Sequence, residues 1–277
     1  MVTDRFQEND EFTLLKRDVE YIYETFKAAS EALLEIYRSE SEWELSYKSD
    51  HSPVTKADTT SSTIITKRLR SEYPNILIVS EEEEIPSYEV RKNCRNLWLV
   101  DPLDGTKEFI HKTGEFTINL ALVRDHHVVA GFIFVPTTNS FYYAIKGQGS
   151  FEWNGKSEGI KLQVSTFDFQ SEGIRVLASR QGMDHHSKKY IESLKSPIIS
   201  SRGSALKFIA LAKGEADYYP RMIHIMEWDT AAGQIIIEEA GGKLVDAHTN
   251  LPLVYNKTSL TNPYFIAMGN AIHEKEE

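Results

Sequence analysis

Apolar residues at positions 19, 22, 26, 33 and 36 recur at helical spacing, and the pattern predicts an amphipathic helix over about residues 18–37. A second helix is predicted over about 59–73, with Ile64, Ile65 and Leu69 inward and Pro74 just past its end. Short apolar runs at 76–79 and 97–100 read as buried strands. Longer strands at 116–123 and 128–135 form a predicted hairpin through Asp125-His126-His127, and strands at 141–145 and 150–153 follow, divided by Gly147 and Gly149. Past about Leu162 strands and helices alternate: a strand at 175–178, helices at 188–194, 204–213 and 229–240, and a late strand at 265–268. Gly214 stops the second of these helices and Gly241-Gly242 the third. The pattern predicts an α+β first half (residues 1–162) and an α/β second half (163–277), with a shared interface where a site can form. Internal repeats, low-complexity tracts and flexible linkers are absent from the sequence.

A chain of 277 residues, 41% hydrophobic and 26% charged, is long enough to bury a large core. With 31 basic against 41 acidic residues the net charge is −10, which argues against a nucleic-acid polymer as partner. It leaves room for a small phosphorylated substrate, provided divalent cations stand between phosphate and carboxylates. The single cysteine, Cys94, excludes an internal disulfide and reads as a packed or surface thiol in a reducing compartment. The first residues lack the basic and apolar regions of a signal peptide, and the longest apolar run, around 128–135, is far too short to span a membrane. The expected location is therefore cytoplasmic.

One segment changes the picture. In Trp98-Leu99-Val100-Asp101-Pro102-Leu103-Asp104-Gly105-Thr106-Lys107-Glu108-Phe109 an apolar strand ends in two carboxylates, a glycine and a threonine. Carboxylates three apart at a strand-to-helix turn can converge on one cation, and the N–H groups of Gly105 and Thr106 at a helix start suit an anion. Taken alone, the segment also reads as an ordinary turn. Three further segments place polar groups at element ends. Asp58, in Pro53-Val54-Thr55-Lys56-Ala57-Asp58, reads on position alone as an N-cap. Glu81 leads an acidic run, Glu81-Glu82-Glu83-Glu84, at the mouth of the 76–79 strand, where most of the run reads as solvated loop. Asp229, in Glu227-Trp228-Asp229-Thr230-Ala231-Ala232-Gly233, opens a helix and is followed by small residues that permit close approach.

Together and in this order, from about residue 20 to the C-terminus, these motifs resemble the inositol monophosphatase superfamily of magnesium-dependent, lithium-sensitive phosphatases. The resemblance implies a layered αβαβα sandwich. It further implies two Mg²⁺ ions per site, or three: one held by Glu81, Asp101 and the carbonyl of Leu103, a second by Asp101, Asp104 and Asp229. Oxygen-only donors of this kind are what Mg²⁺ prefers. Thr106, paired with Asp58, is implied to orient or deprotonate the attacking water, with Glu81 sharing that work. Gly105 and Thr106 are implied to grip the phosphate.

Within the superfamily the chain resembles the bacterial 3′(2′),5′-bisphosphate nucleotidases, which implies hydrolysis of the 3′-phosphate of adenosine 3′,5′-bisphosphate to AMP, as in sulfur metabolism. Lys107-Glu108-Phe109 follows the Asp-Gly-Thr motif as it does there, and Gly203-Ser204-Ala205-Leu206-Lys207-Phe208 also matches. Arg221 stands where inositol enzymes carry an acidic residue, and its fork of donors suits a second phosphate. Ser204 and Lys207, expected on one face near a helix N-terminus, are assigned with Arg221 to the 5′-phosphate and adenosine. One departure stands out: Gln181-Gly182 follow Ser179-Arg180 where many nucleotidases have a base-contacting histidine, and Arg180 is a candidate to stack on the ring instead. His185 and His186 read as a hydrated surface pair. The alternatives are an inositol monophosphatase or broad sugar phosphatase, and an inactive metal- or nucleotide-binding relative. A monomer is expected, with a dimer as the alternative; some bacterial relatives associate peripherally with the cytoplasmic side of the inner membrane, a location no segment here predicts.

Overall fold

Alternation along the strands decides the layering. In the strand that carries Asp101, Leu97 and Leu99 point into one buried cluster while Trp98 and Val100 point into another. A strand apolar on both faces must be covered on both. The computed structural model, which describes residues 14–39, 46–47, 53–156, 158–179 and 185–273, meets that demand with helices on each side.

In chain order the first part holds α1 (Lys16–Arg38), β1 (Ser46–Tyr47), β2 (Pro53–Val54), α2 (Lys56–Glu72), β3 (Leu77–Ser80), α3 (Tyr88–Arg91), β4 (Asn96–Asp104) and α4 (Thr106–Ile110). There follow β5 (Thr117–Arg124), β6 (His127–Val135), β7 (Ser140–Ile145), β8 (Gly149–Trp153) and β9 (Ile160–Lys161). The second part holds β10 (Thr166–Phe167), β11 (Arg175–Ser179), α5 (His185–Glu192), β12 (Ile198–Arg202), α6 (Leu206–Ala212) and β13 (Tyr218–Arg221). It closes with α7 (Glu227–Glu239), β14 (Lys243–Asp246), β15 (Phe265–Met268) and β16 (Asn270–Ala271).

Strands β3 to β9 form one seven-stranded sheet in sequence order, parallel only between β3 and β4. A five-stranded sheet has the order β12-β11-β13-β15-β14. Helices α1 and α2 cover one face of the large sheet, α6 and α7 fill the space between the sheets, and α5 lies beyond the small one. The result is the expected αβαβα sandwich. On α1 the residues Ile22, Phe26, Ala29 and Leu33 are fully buried, each large side chain contributing roughly 1.5–3 kcal/mol by leaving water. Tyr23, Phe26, Phe134, Phe141 and Trp153 pack edge-on or tilted with ring centroids 5.2–6.4 Å apart.

Two glycines let α7 sit close. A Cβ on Gly131 of β6 would fall 2.5 Å from Ile235 and 2.7 Å from the Ala232 carbonyl, and one on Gly233 would fall 2.3 Å from the Phe208 ring of α6. The helix is therefore held between a sheet backbone and a neighbouring helix with no clearance at either point.

Several elements depart from the sequence reading. Helix α2 begins three residues earlier than predicted, because Thr55 rather than Asp58 is the N-cap. The 97–100 strand continues to Asp104, through Pro102. Helix α5 starts at His185, ahead of the predicted 188, and α6 starts at Leu206, after Ser204. Strands β12, β13 and β14 are absent from the sequence reading, as are α3 and the two-residue strands β1, β2, β9, β10 and β16; β12 is an exposed edge, while β13 is short and contains a proline.

Candidate metal centre and cavity

The two carboxylates of the strand end converge through a bulge. Asp101 pairs with Asn119 and Asp104 with Thr117, so three steps on β4 match two on β5. That extra residue cancels the alternation that would send residues three apart to opposite faces. Glu81 joins them because its N–H donates to the Val100 carbonyl at 3.1 Å, extending the β3–β4 pairing one step past Ser80. Asp229 arrives from α7, where it is the third helical residue and its carboxylate accepts the Met226 N–H at 2.8 Å, with Met226 as N-cap.

Carboxylate oxygens of Glu81, Asp101 and Asp229 all lie within 4.8 Å of one another. Asp101 is buried and accepts the Leu103 N–H at 3.1 Å. Burial first, then the charges of Glu81, Asp104 and Asp229, hold its carboxyl well above the usual range; burial and the charges of Asp104 and Glu81 do the same to Asp229. Like charges gathered in low dielectric ask for a cation, and hard oxygen donors fit Mg²⁺. Asp104 is turned partly toward other partners: its Oδ2 accepts from Ser204 Oγ at 2.7 Å and from Asn119 Nδ2 at 3.3 Å.

Asp58 sits behind the wall of the site. Its Oδ2 accepts both the N–H and the hydroxyl of Thr55 at 2.7 Å, and its Oδ1 accepts the hydroxyl of Thr106 at 2.9 Å. Burial is the largest influence on its pKa and raises it, against the lowering effect of these bonds. Gly105 caps the five-residue α4 with φ +95°, and a Cβ there would lie 3.1 Å from the Glu115 carbonyl. Only glycine takes that turn without strain.

A cavity of about 510 Å³ opens over this cluster, its walls including Glu81, Asp104, Gly105, Thr106 and Asp229 together with Lys207 and Arg221. Ser204 precedes α6 rather than riding on it: at φ +51° its hydroxyl lies 2.7 Å from Asp104 and from Thr117. Lys207 is buried, donates to the carbonyls of Arg202 (3.2 Å) and Ser204 (2.8 Å), and has its pKa pushed down to about 8 by burial. Arg180, Gln181 and Gly182 lie outside the described residues, so the proposed stacking contact falls there too. His185 and His186 are exposed at the start of α5, and Cys94 is buried with its thiol directed at the Val90 carbonyl. Sequence reasoning missed Tyr219, His224, Met226 and Thr261 of the cavity wall. Position in the five residues between Arg221 and Glu227 was the one available signal for His224 and Met226.

The layered fold and an oxygen-only acidic cluster at a strand bulge define a metal-dependent phosphatase architecture. The chain matches the model of the inositol monophosphatase family over residues 15–275 and belongs to that family. It is similar to the 3′(2′),5′-bisphosphate nucleotidase CysQ of Salmonella typhimurium strain LT2, 36% identical over 247 residues, covering 89% of this chain and 98% of the relative. The protein of the same name from Escherichia coli K12 is 37% identical over 238 residues, covering 86% and 94%. Among solved structures, CysQ from Bacteroides thetaiotaomicron superposes with a TM-score of 0.78 at 34% identity, covering 91% of this chain and 96% of that one. No helix among the described residues is long and apolar enough to cross a membrane.

Proposed function

We propose that this chain is a magnesium-dependent 3′(2′),5′-bisphosphate nucleotidase that hydrolyses the 3′-phosphate of adenosine 3′,5′-bisphosphate to AMP and phosphate. The observation that carries the substrate reading is one cavity lined both by carboxylates of the cluster and by cationic side chains, Lys207 and Arg221 among them. A substrate with two phosphates meets both.

In this reading Glu81, Asp101, the Leu103 carbonyl, Asp104 and Asp229 would hold two Mg²⁺ ions. When bound, the ions acidify the attacking water and neutralise charge on the transferring phosphoryl group. The protein's own part is proton handling and placement. Because the Thr106 hydroxyl donates to Asp58, its oxygen remains an acceptor for a proton of the incoming water. Asp58, made more basic by burial, draws charge through that bond. Backbone N–H groups of Gly105 and Thr106 orient the phosphate, and Ser204 holds Asp104 in place. Lys207 has three N–H donors, and two go to carbonyls, leaving one for the second phosphate. Arg221 offers its fork to the same group. Residues 1–162 and 163–277 act as two lobes, each supplying ligands, and the enzyme works as a cytoplasmic monomer.

The test is phosphate release with Mg²⁺ from adenosine 3′,5′-bisphosphate, inositol 1-phosphate and fructose 1,6-bisphosphate, with and without lithium. A lithium-inhibited preference for the nucleotide is expected. Preference for inositol or sugar phosphate would overturn the assignment of Lys207 and Arg221 and leave the metal centre standing.

A further inference from the structure

The first turn of α7 carries Asp229, and it is wrapped by residues 254–262, part of the connection between β14 and β15. The Glu227 N–H donates to the Leu260 carbonyl and the Asn262 N–H to the Ile225 carbonyl, both at 2.8 Å. Asn262 Nδ2 reaches the Met226 carbonyl at 3.0 Å and Thr230 Oγ1 at 2.6 Å. Met226 is the residue whose N–H orients Asp229.

Charge holds this wrap shut. Glu227 is fully buried, and its carboxylate accepts the Asn256 N–H (2.5 Å), the Lys257 N–H (3.1 Å) and Lys257 Nζ (2.6 Å). The Lys257 ammonium uses its other donors on the Val254 carbonyl (2.9 Å) and Asn262 Oδ1 (3.1 Å). Arg91, buried in α3, fastens the far side. It donates to Asn256 Oδ1 at 2.7 Å and to the carbonyls of Lys257 and Thr258, while Asn256 Nδ2 returns a bond to the Arg91 carbonyl at 2.9 Å. Its Nε also binds the Pro86 carbonyl at 2.9 Å, closing the segment that returns from Glu81.

One continuous chain of contacts thus runs from the segment after Glu81, through Arg91, Asn256, Glu227, Lys257 and Asn262, to the Met226 peptide and Asp229. We infer that Arg91, Glu227, Asn256, Lys257 and Asn262 form a buckle that sets Asp229 against Glu81 and Asp101, and so tunes the affinity of the site for its metal. They are positioning residues; none of them faces the cavity wall. An ion pair whose carboxylate is fully buried and fully hydrogen-bonded is a poor source of net stability compared with apolar packing, yet it fixes one geometry. The inference rests on reading Glu81, Asp101 and Asp229 as metal ligands.

The test is calorimetric titration of the whole protein with Mg²⁺, alongside its melting temperature without metal. Glu227→Gln combined with Lys257→Met removes the buried carboxylate together with its partly exposed ammonium partner. The expected result is a Kd for Mg²⁺ about tenfold higher, the size of effect typical for groups that orient metal ligands, with substrate KM at saturating Mg²⁺ unchanged. A folded double variant that binds Mg²⁺ within twofold of wild type overturns the inference. If that variant does not fold, Arg91→Lys keeps the charge but loses the fork to Asn256, Lys257 and Thr258, and an unchanged Kd there overturns it equally. Failure of the wild type itself to bind Mg²⁺ would instead overturn the metal-ligand reading beneath it.

Discussion

Thr106 can donate its single proton to one partner, and the Asp58 carboxylate at 2.9 Å takes it ahead of the Leu103 carbonyl at 3.4 Å. Thr106→Val removes that relay, and we expect kcat to fall by about 10²–10⁴-fold while the Kd for Mg²⁺ stays within twofold, as steady-state kinetics and calorimetry would report. Because burial raises the Asp58 pKa, activity should be lost on acidification at a higher pH than an exposed aspartate would give, and Asp58→Asn should remove that limb. Lys207 works in the other direction. Its pKa of about 8 means it is charged below that pH and neutral above it. Affinity for a second phosphate should therefore decline as pH rises through 8, read as a rising KM with little change in kcat. Lys207→Arg, always charged, should flatten that rise. Stability follows the opposite sign. The unfolded chain holds this proton up to the ordinary value of 10.5, so the group's contribution to stability improves between about pH 8 and 10.5.

At the scale of elements the decisive contact is α7 against β6. Gly131→Ala would drive a methyl group into Ile235 and the Ala232 backbone. We expect a loss of roughly 1–3 kcal/mol in urea unfolding, together with weaker Mg²⁺ binding, because the helix that must shift carries Asp229. A distant substitution that changed stability alone would show that α7 can move without disturbing the site. Here the limits of sequence reading become physical. Helix α1 was legible because its apolar residues repeat at helical spacing, and β5 and β6 because they are continuous apolar runs divided by Asp125-His126-His127. The metal-site motifs were legible because their residue types and order resemble a family. The bulge between Asp101 and Asp104 is set by pairing with Asn119 and Thr117 on β5, and Pro102 is its one trace in residue types. Thr55 was passed over as N-cap because Asp58 caps from inside the helix, reaching back to the Thr55 N–H. The buckle was equally hidden: Arg91 and Asn256 are 165 residues apart, and their meeting is a fact of tertiary structure alone.

For the whole molecule, the carboxylate cluster joins β3 and β4 of the first half to α7 of the second. Without cations, carboxylates of like charge face each other at this junction. Removing Mg²⁺ with a chelator should lower the melting temperature, and Mg²⁺ at 100 times its Kd should restore about 2.7 kcal/mol. Asp101→Asn gives a paired test. We expect it to abolish turnover and the Mg²⁺-induced shift, while raising the metal-free melting temperature by about 2–4 °C, the change that ~1 kcal/mol produces at this size. A fall in the metal-free value, measured by calorimetric scanning, would count against repulsion within the cluster. The tight seat of α7 between Gly131 and the Phe208 ring has a longer reach. A helix with no slack leaves Asp229 almost no room for sequence drift, whereas the connection just ahead of it, with Ile223 and His224 exposed, has ample room. The cavity wall can therefore vary at His224 and Ile225 while the helix that carries Asp229 stays fixed in its seat.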